Sequence, residues 1–167
     1  SYFLQPGDPS APTIYDVDNL RDGRSFLTRR VIAQQHGRPI YAQTASFHKH
    51  EPGLEHEEQM PDVPDPEDCR PVSRRTRDEL HADQWSVADI RVIGSSAVGG
   101  LEDDPSRPGR QRVWLRVSSR LPDDPLWHAA AFTYLSDMTL AGATLSAHGL
   151  SFGSGEVFLA SLDHAVW

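Results

Sequence analysis

The chain has 167 residues, a length that suits one domain or two small ones. Its formal net charge of −8 at pH 7 argues against nucleic acid as the main partner, because phosphate binding needs a basic surface. The single cysteine, Cys69, cannot form an internal disulfide, which predicts a reducing, cytoplasmic environment. No apolar run is long enough to span a membrane, so no membrane association is predicted.

The first part of the chain predicts an antiparallel hairpin. Residues 24–34 and 40–48 carry strand patterns, and residues 35–38 between them predict a turn in which Gly37 is free to take a positive φ. A further short strand is predicted over 12–17. Side chains alternate between two faces along each of these strands.

A stretch rich in proline and acidic residues separates two regions of the chain. Proline blocks both helices and sheet ladders, so we predict a linker over 51–84 that is partly ordered at best. Its acidic cluster is interpreted as a solvated surface. This interpretation divides the chain into a first domain over 1–50 and a second domain over 85–167.

The second region predicts two strands, a helix and a final strand. Alternating apolar residues indicate strands over 88–93 and 111–118, and the last residues, 156–167, predict a long strand. This order has no βαβ alternation, which argues against a parallel Rossmann-type sheet. No glycine-rich phosphate-binding motif and no nucleophile elbow is present. We predict an α+β fold in which an antiparallel sheet curls around one long helix.

The predicted helix contains one carboxylate in an apolar setting. Asp124 is a suitable N-cap, and Pro125 fits the first helical position, where no N–H donor is needed. Apolar residues then cover nearly every face as far as Leu140, which is typical of a core helix. Asp137 is predicted to lie deep inside this helix. Burying a carboxylate is costly, so Asp137 is expected to be paired, protonated or chemically active.

Several short motifs occur together along the chain. The first half contains Gly23-Arg24-Ser25-Phe26, Gln35-His36-Gly37-Arg38 and Ala45-Ser46-Phe47. The second half contains Leu121-Pro122-Asp123-Asp124-Pro125, Ser136-Asp137-Met138-Thr139-Leu140 and Ser161-Leu162-Asp163-His164. In this order they resemble the acyl-CoA thioesterase II family, and the resemblance covers most of the chain outside the linker.

The resemblance implies a double hot dog, in which each of two fused domains wraps an antiparallel sheet around a long helix. It also implies hydrolysis of fatty acyl-CoA thioesters to free fatty acid and CoA, without a covalent acyl-enzyme and without a metal or organic cofactor. Family members hold and activate a water molecule with an Asp, a Gln and a Ser or Thr. Asp137 matches the family aspartate, and Ser161 matches the family Ser or Thr.

The resemblance covers an incomplete set of elements. Residues 1–48 correspond to the later strands of the first hot dog, and residues 85–167 to the early strands, helix and following strand of the second. The catalytic glutamine of the family belongs to a later strand that this chain does not reach. We expect the missing N-terminal and C-terminal segments to come from another chain or from a longer form of this one. The family assembles into larger complexes, which implies a homo-oligomer.

Each candidate site residue also has a purely structural interpretation. Asp137 is alternatively a buried residue that caps a neighbouring strand or loop, and Ser161 is alternatively an ordinary strand serine. Asp163 and His164 are adjacent in a predicted strand and face opposite sides, so they cannot both reach one substrate atom, and we interpret His164 as a paired, structural histidine.

Two other functions stay open. A hot dog without its glutamine is alternatively a non-catalytic acyl-CoA-binding or oligomerisation module. An acyl dehydratase on the same fold needs a histidine and an acid together at the core helix, where Asp137 alone is suitably placed. Three arginines in the first half either contact CoA phosphates, which guanidinium groups match in charge and geometry, or form an exposed strand face: Arg24, Arg29 and Arg30.

Overall fold

A computed structural model describes residues 1–71, 86–95, 109–148, 150 and 156–167. These residues fall into two compact units. The first consists of Ser1–Gln59 together with Ala160–Trp167, and the second is Met60–Leu159. No helix in the described residues is long and apolar enough to cross a membrane.

The first unit is built on a four-stranded antiparallel sheet with the order β1-β4-β3-β2. Its strands are β1 (Tyr2–Phe3), β2 (Ile14–Asp22), β3 (Phe26–Gln35) and β4 (Arg38–His48). His36 with φ 51° and Gly37 with φ 73° form the turn from β3 to β4, and positive φ at both central residues is the requirement of a two-residue type I′ hairpin turn. The predicted hairpin is confirmed, and the strand predicted over 12–17 begins at Ile14 and continues to Asp22.

Gln35 ties the loop before β2 to the end of β3. Its side chain is 7% exposed, and its Nε2 atom lies within 3.1 Å of three acceptors: the carbonyl oxygens of Asp8 and Ala11 and the hydroxyl of Thr13. Its Oε1 atom accepts from the backbone N–H of Asp8 at 2.7 Å. One buried amide therefore satisfies polar groups from several residues of this loop.

The substitution Gln35→Met is expected to destabilise the protein by about 1 to 3 kcal/mol, because it removes several partly buried hydrogen bonds to the loop at nearly unchanged side-chain volume. Urea unfolding measures the change. Gln34→Met is the matched control. The Gln34 amide makes an exposed hydrogen bond to Asp16, so its loss is expected to cost less than about 1 kcal/mol. Equal effects of the two variants would contradict the prediction.

The prediction of a long strand over 156–167 is wrong. The segment is extended, but its ladder pairing is a single bridge between Asp163 and Tyr2. The N–H of Phe3 donates to the carbonyl of Leu162 at 2.9 Å, and the N–H of His164 donates to that of Ser1 at 3.1 Å. The partner strand β1 has two residues, so it is too short to hold a longer ladder.

The second unit contains a three-stranded antiparallel sheet with the order β5-β6-β7. Its strands are β5 (Arg70–Pro71), β6 (Ala88–Ser95) and β7 (Gln111–Val117). The strands predicted over 88–93 and 111–118 are confirmed. Residues 51–65 have no regular secondary structure, and a short 3-10 helix, Pro66–Asp68, leads into β5.

Helix α1 (Pro125–Asp137) begins as the sequence predicts. The Asp124 side chain accepts from the N–H of Leu126 at 2.9 Å, and Pro125 occupies the first turn. The prediction that Asp137 lies deep inside the helix is wrong, because Asp137 is its last residue. The Ser136 hydroxyl donates to the carbonyl of Thr133 at 3.0 Å, and such local hydrogen bonds compete with helix continuation. A second helix, α2 (Leu140–Ser146), follows after a break of two residues.

The core of the second unit lies between the sheet and one side of α1. Ala88, Ile90 and Leu135 are buried together. Four partly buried residues pack against them: Val113, Leu115, Val117 and Met138. The other faces of α1 are open in the described structure, and Trp127 and Phe132 are 57% and 62% exposed. A sheet of this width covers one side of a helix, so α1 is not enclosed on all sides.

Candidate functional site

A groove of about 400 Å³ lies within the second unit, beside the junction of α1 and α2. Its lining is mostly apolar. The sheet contributes Ile93, Val113, Trp114 and Leu115, helix α2 contributes Leu140 and Ala143, and the irregular chain before β5 contributes Met60, Pro61 and Val63. This volume is in the range of small-molecule sites, about 300 to 1,000 Å³. The groove therefore suits an apolar ligand group.

Four polar residues interrupt the apolar lining of the groove: Gln111, Arg112, Ser136 and Thr139. The Gln111 amide lies against α2, where a Cβ at Gly142 would come within 2.8 Å of Gln111 Oε1. Arg112 forms no ion pair with any residue described, whereas Arg91 and Arg116 on the same sheet are both paired. The groove thus combines an apolar lining with hydrogen-bonding and cationic groups.

Asp137 is the last residue of α1 and does not itself line the groove, but two of its neighbours in the chain do. It follows Ser136 directly and precedes Thr139 by two residues, and both of these line the groove. The Asp137 side chain is half-buried, and its carboxylate makes no hydrogen bond or ion pair with any residue in the described part of the chain. The carboxylate is therefore not used as a cap or as a partner of an arginine there. It is available to accept a hydrogen bond from a water molecule.

Ser161 belongs to the first unit, in the extended segment that follows Ala160. Its side chain is exposed, and its hydroxyl makes no hydrogen bond with a residue that the structure describes. Asp163 and His164, on the same segment, are tied through their backbones to β1 and to Ser1. The roles of Asp137 and Ser161 stay predictions.

Two of the arginines considered for CoA phosphates are already paired in the first unit. Arg29 Nη2 lies 2.5 Å from Asp22 Oδ1, and Arg30 Nη2 lies 2.6 Å from Asp18 Oδ2. Their charges are balanced by neighbours on β2, which favours the interpretation of an exposed strand face. No group of three or more His, Cys, Asp or Glu side chains suited to a metal ion occurs within the described ranges.

An ion-pair network fixes the 3-10 helix to the sheet of the second unit. Arg91 Nε lies 3.1 Å from Asp89 Oδ1, and Arg116 Nη2 lies 2.9 Å from Asp89 Oδ2. Arg116 also reaches Glu67 on the 3-10 helix at 3.8 Å. The hydrogen bond from Arg91 lowers the pKa of the Asp89 carboxyl below its ordinary value of 3.8. Asp89 is therefore charged, and stabilising, at neutral pH.

The substitution Asp89→Asn is expected to lower the free energy of unfolding by about 1 kcal/mol at pH 7. A carboxyl whose folded-state pKa is depressed contributes its full stability above 3.8 and loses it as the pH falls through the folded-state value. The difference in free energy of unfolding between wild type and Asp89→Asn should therefore become smaller as the pH falls below 3.8. Urea unfolding at several pH values measures it. In the control Glu67→Gln, the exposed pair with Arg116 should contribute less than about 0.5 kcal/mol.

The sequence did not identify the groove. The alternation over 111–118 assigned Val113, Leu115 and Val117 to the core, but Arg112 and Trp114 also line the groove. Among the described strands β7 is an edge strand, and the groove follows this edge and takes residues from both faces. Met60, Pro61 and Val63, which precede β5, show no hydrophobic periodicity from which a position in the groove could be predicted.

The comparisons with known proteins agree on one family. Residues 98–167 match a family described as acyl-CoA thioesterase, and residues 1–48 match one described as acyl-CoA thioesterase N-terminal domain. Acyl-coenzyme A thioesterase 8 of Mus musculus is 32% identical over 183 residues, which cover 99% of this chain and 56% of that protein. The chain spans about half the length of the curated relatives that it matches.

Solved structures show the same relationship. An acyl-CoA thioesterase II from Mycobacterium marinum is 38% identical, with a TM-score of 0.66 over 85% of this chain and 50% of that chain. A protein of unknown function with a hot dog fold from Alicyclobacillus acidocaldarius is 27% identical, with a TM-score of 0.59 over 77% of this chain and 46% of that chain.

The antiparallel sheets and the helix packed on one of them therefore define an incomplete double hot dog of the thioesterase class. The predicted fold class is confirmed. Within this class, the chain belongs to the acyl-CoA thioesterase II family.

Proposed function

We propose that the protein to which this chain belongs hydrolyses fatty acyl-CoA thioesters to free fatty acid and CoA. The observation that carries this proposal is an apolar groove whose lining residues Ser136 and Thr139 flank Asp137 in the chain. The Asp137 carboxylate makes no hydrogen bond or ion pair with the residues that the structure describes, and the chain belongs to the acyl-CoA thioesterase II family. An acyl chain supplies the apolar surface that the groove would bury. The thioester would then lie at the end of the groove nearest Asp137.

In the proposed reaction Asp137 is the general base. Its carboxylate takes a proton from a water molecule while the water oxygen attacks the thioester carbonyl carbon. The C–S bond of the resulting tetrahedral intermediate breaks, and the CoA sulfur leaves with the proton as a thiol. The family resemblance assigns to Ser161 the task of orienting the attacking water through its hydroxyl, and N–H donors would have to face the oxyanion. The family resemblance assigns a further part of this task to the glutamine of the family's catalytic set.

Several further properties belong to the same proposal. The domain boundaries are 1–50, 51–84 and 85–167, and the protein acts in the cytoplasm in lipid metabolism. It forms a homo-oligomer, because family members assemble double hot dogs into larger complexes. The single cysteine supports a reducing compartment.

The experiment that tests this function measures thiol release from palmitoyl-CoA by the full-length protein. We expect continuous release of one thiol per fatty acid formed. Saturable binding of palmitoyl-CoA without thiol release would overturn the enzymatic proposal in favour of an acyl-CoA-binding module. A stable covalent acyl-protein adduct in the mass spectrum would contradict direct attack by water.

A further inference from the structure

One wall of the groove is formed by residues without regular secondary structure. Residues 60–64, which we call the strap, contribute Met60, Pro61 and Val63 to the lining. The other lining residues belong to the sheet, to the two helices or to the short break between them, where hydrogen-bonded pairing and packing restrict each position. The strap makes no ladder pairing, so its side chains can vary in size without disturbing the sheet.

The strap is nevertheless anchored. The carbonyl oxygen of Pro64 accepts from the indole Nε1 of Trp114 at 3.0 Å and lies 3.7 Å from the thiol of Cys69, which is 7% exposed. Pro61 and Pro64 fix their own φ angles, and Val63 is restricted because it precedes a proline. A stiff segment held at one end by two side chains can keep a constant distance from β7.

We propose that the strap determines which acyl chain lengths the groove accepts, with Val63 as the specificity-determining residue and Trp114 as a positioning residue that holds the strap. This inference rests on the proposed function and identifies acyl chain length as the substrate property that the groove discriminates. Each methylene group that enters or leaves apolar surroundings changes transition-state binding about fourfold. A wall that admits or excludes a few carbons therefore changes the preference between long and short chains strongly.

Two substitutions at Val63 test the proposal in opposite directions in the full-length protein. Val63→Trp fills the groove, and the ratio of kcat/KM for palmitoyl-CoA to that for hexanoyl-CoA should fall about tenfold or more. Val63→Ala enlarges the groove, and the same ratio should rise about threefold or more. Hexanoyl-CoA has fewer methylene groups to place against the wall, so both substitutions should affect its hydrolysis less than that of palmitoyl-CoA.

Leu54→Trp is the matched control, since Leu54 lies in the same irregular stretch, is fully exposed and does not line the groove. Its chain-length ratio should equal that of wild type. If the Val63 variants also keep the wild-type ratio while hydrolysing both thioesters, the inference is overturned and the proposed function stands. If the wild type hydrolyses neither thioester, the proposed function is wrong, and the inference that rests on it is wrong as well.

Trp114→Phe tests the anchor, because it removes the indole donor and keeps an aromatic ring in the groove. A released strap should widen the groove, so the ratio of kcat/KM for palmitoyl-CoA to that for hexanoyl-CoA should rise, as in Val63→Ala. A loss of stability alone would lower the activity towards both substrates equally. That result would overturn the positioning role of Trp114.

Discussion

Asp137→Asn in the full-length protein is expected to lower kcat for palmitoyl-CoA hydrolysis by about 100-fold or more, the usual contribution of a general base. An amide has nearly the shape of a carboxylate but cannot accept the proton of the attacking water. Asp137 makes no hydrogen bond or ion pair with the described residues, so the substitution breaks no structural contact there. KM should change little, because the apolar lining that would hold the acyl chain is unaffected. Thiol release at saturating substrate measures the effect.

Asp123→Asn is the matched control, because it makes the same chemical change two residues from the start of the same helix. Asp123 is highly exposed and lies 4.0 Å from Arg120, so kcat should stay within about twofold of wild type. If Asp137→Asn retains wild-type kcat, Asp137 is not the base, and the structural interpretation of this residue replaces the catalytic one. The proposed hydrolysis itself would then depend on another group.

Ile90→Ala is expected to produce the largest loss of stability, about 2 to 5 kcal/mol. Ile90 is 1% exposed, the largest fully buried side chain among the described residues, and packs in the cluster with Ala88 and Leu135. Removing its outer carbons leaves a cavity between β6 and α1, which the sheet backbone cannot collapse to fill. Such a loss is a large part of the total stability of a typical domain. The midpoint of urea unfolding should fall without a change in slope.

Leu54→Ala provides the control for Ile90→Ala, since leucine and isoleucine are isomers and both substitutions remove the same number of carbon atoms. Leu54 is fully exposed, so its truncation should cost less than about 0.5 kcal/mol. Similar effects of the two substitutions would show that the cluster around Ile90 is not the core of the second unit.

The sequence alone determined the features that depend on neighbours along the chain. Asp124 and Pro125 predict the start of α1 because capping needs only the first turn of a helix. The turn at His36 and Gly37 is predicted by the same local reasoning, since both hydrogen-bonding strands are adjacent in the chain. The ordered motifs around Ser136-Asp137-Met138 predict the family, and the comparisons confirm it.

The tertiary structure alone decided the features that depend on distant partners. Whether residues 156–167 form a strand depends on the length of β1, which lies at the other end of the chain. The attachment of the loop before β2 to Gln35 depends on hydrogen bonds to Asp8, and the position of the strap depends on a hydrogen bond from Trp114. No periodic pattern predicts either contact. Periodicity reports which face of a segment is apolar, but it does not identify the residues across from that face. The shape of the groove therefore emerged only once these segments were packed.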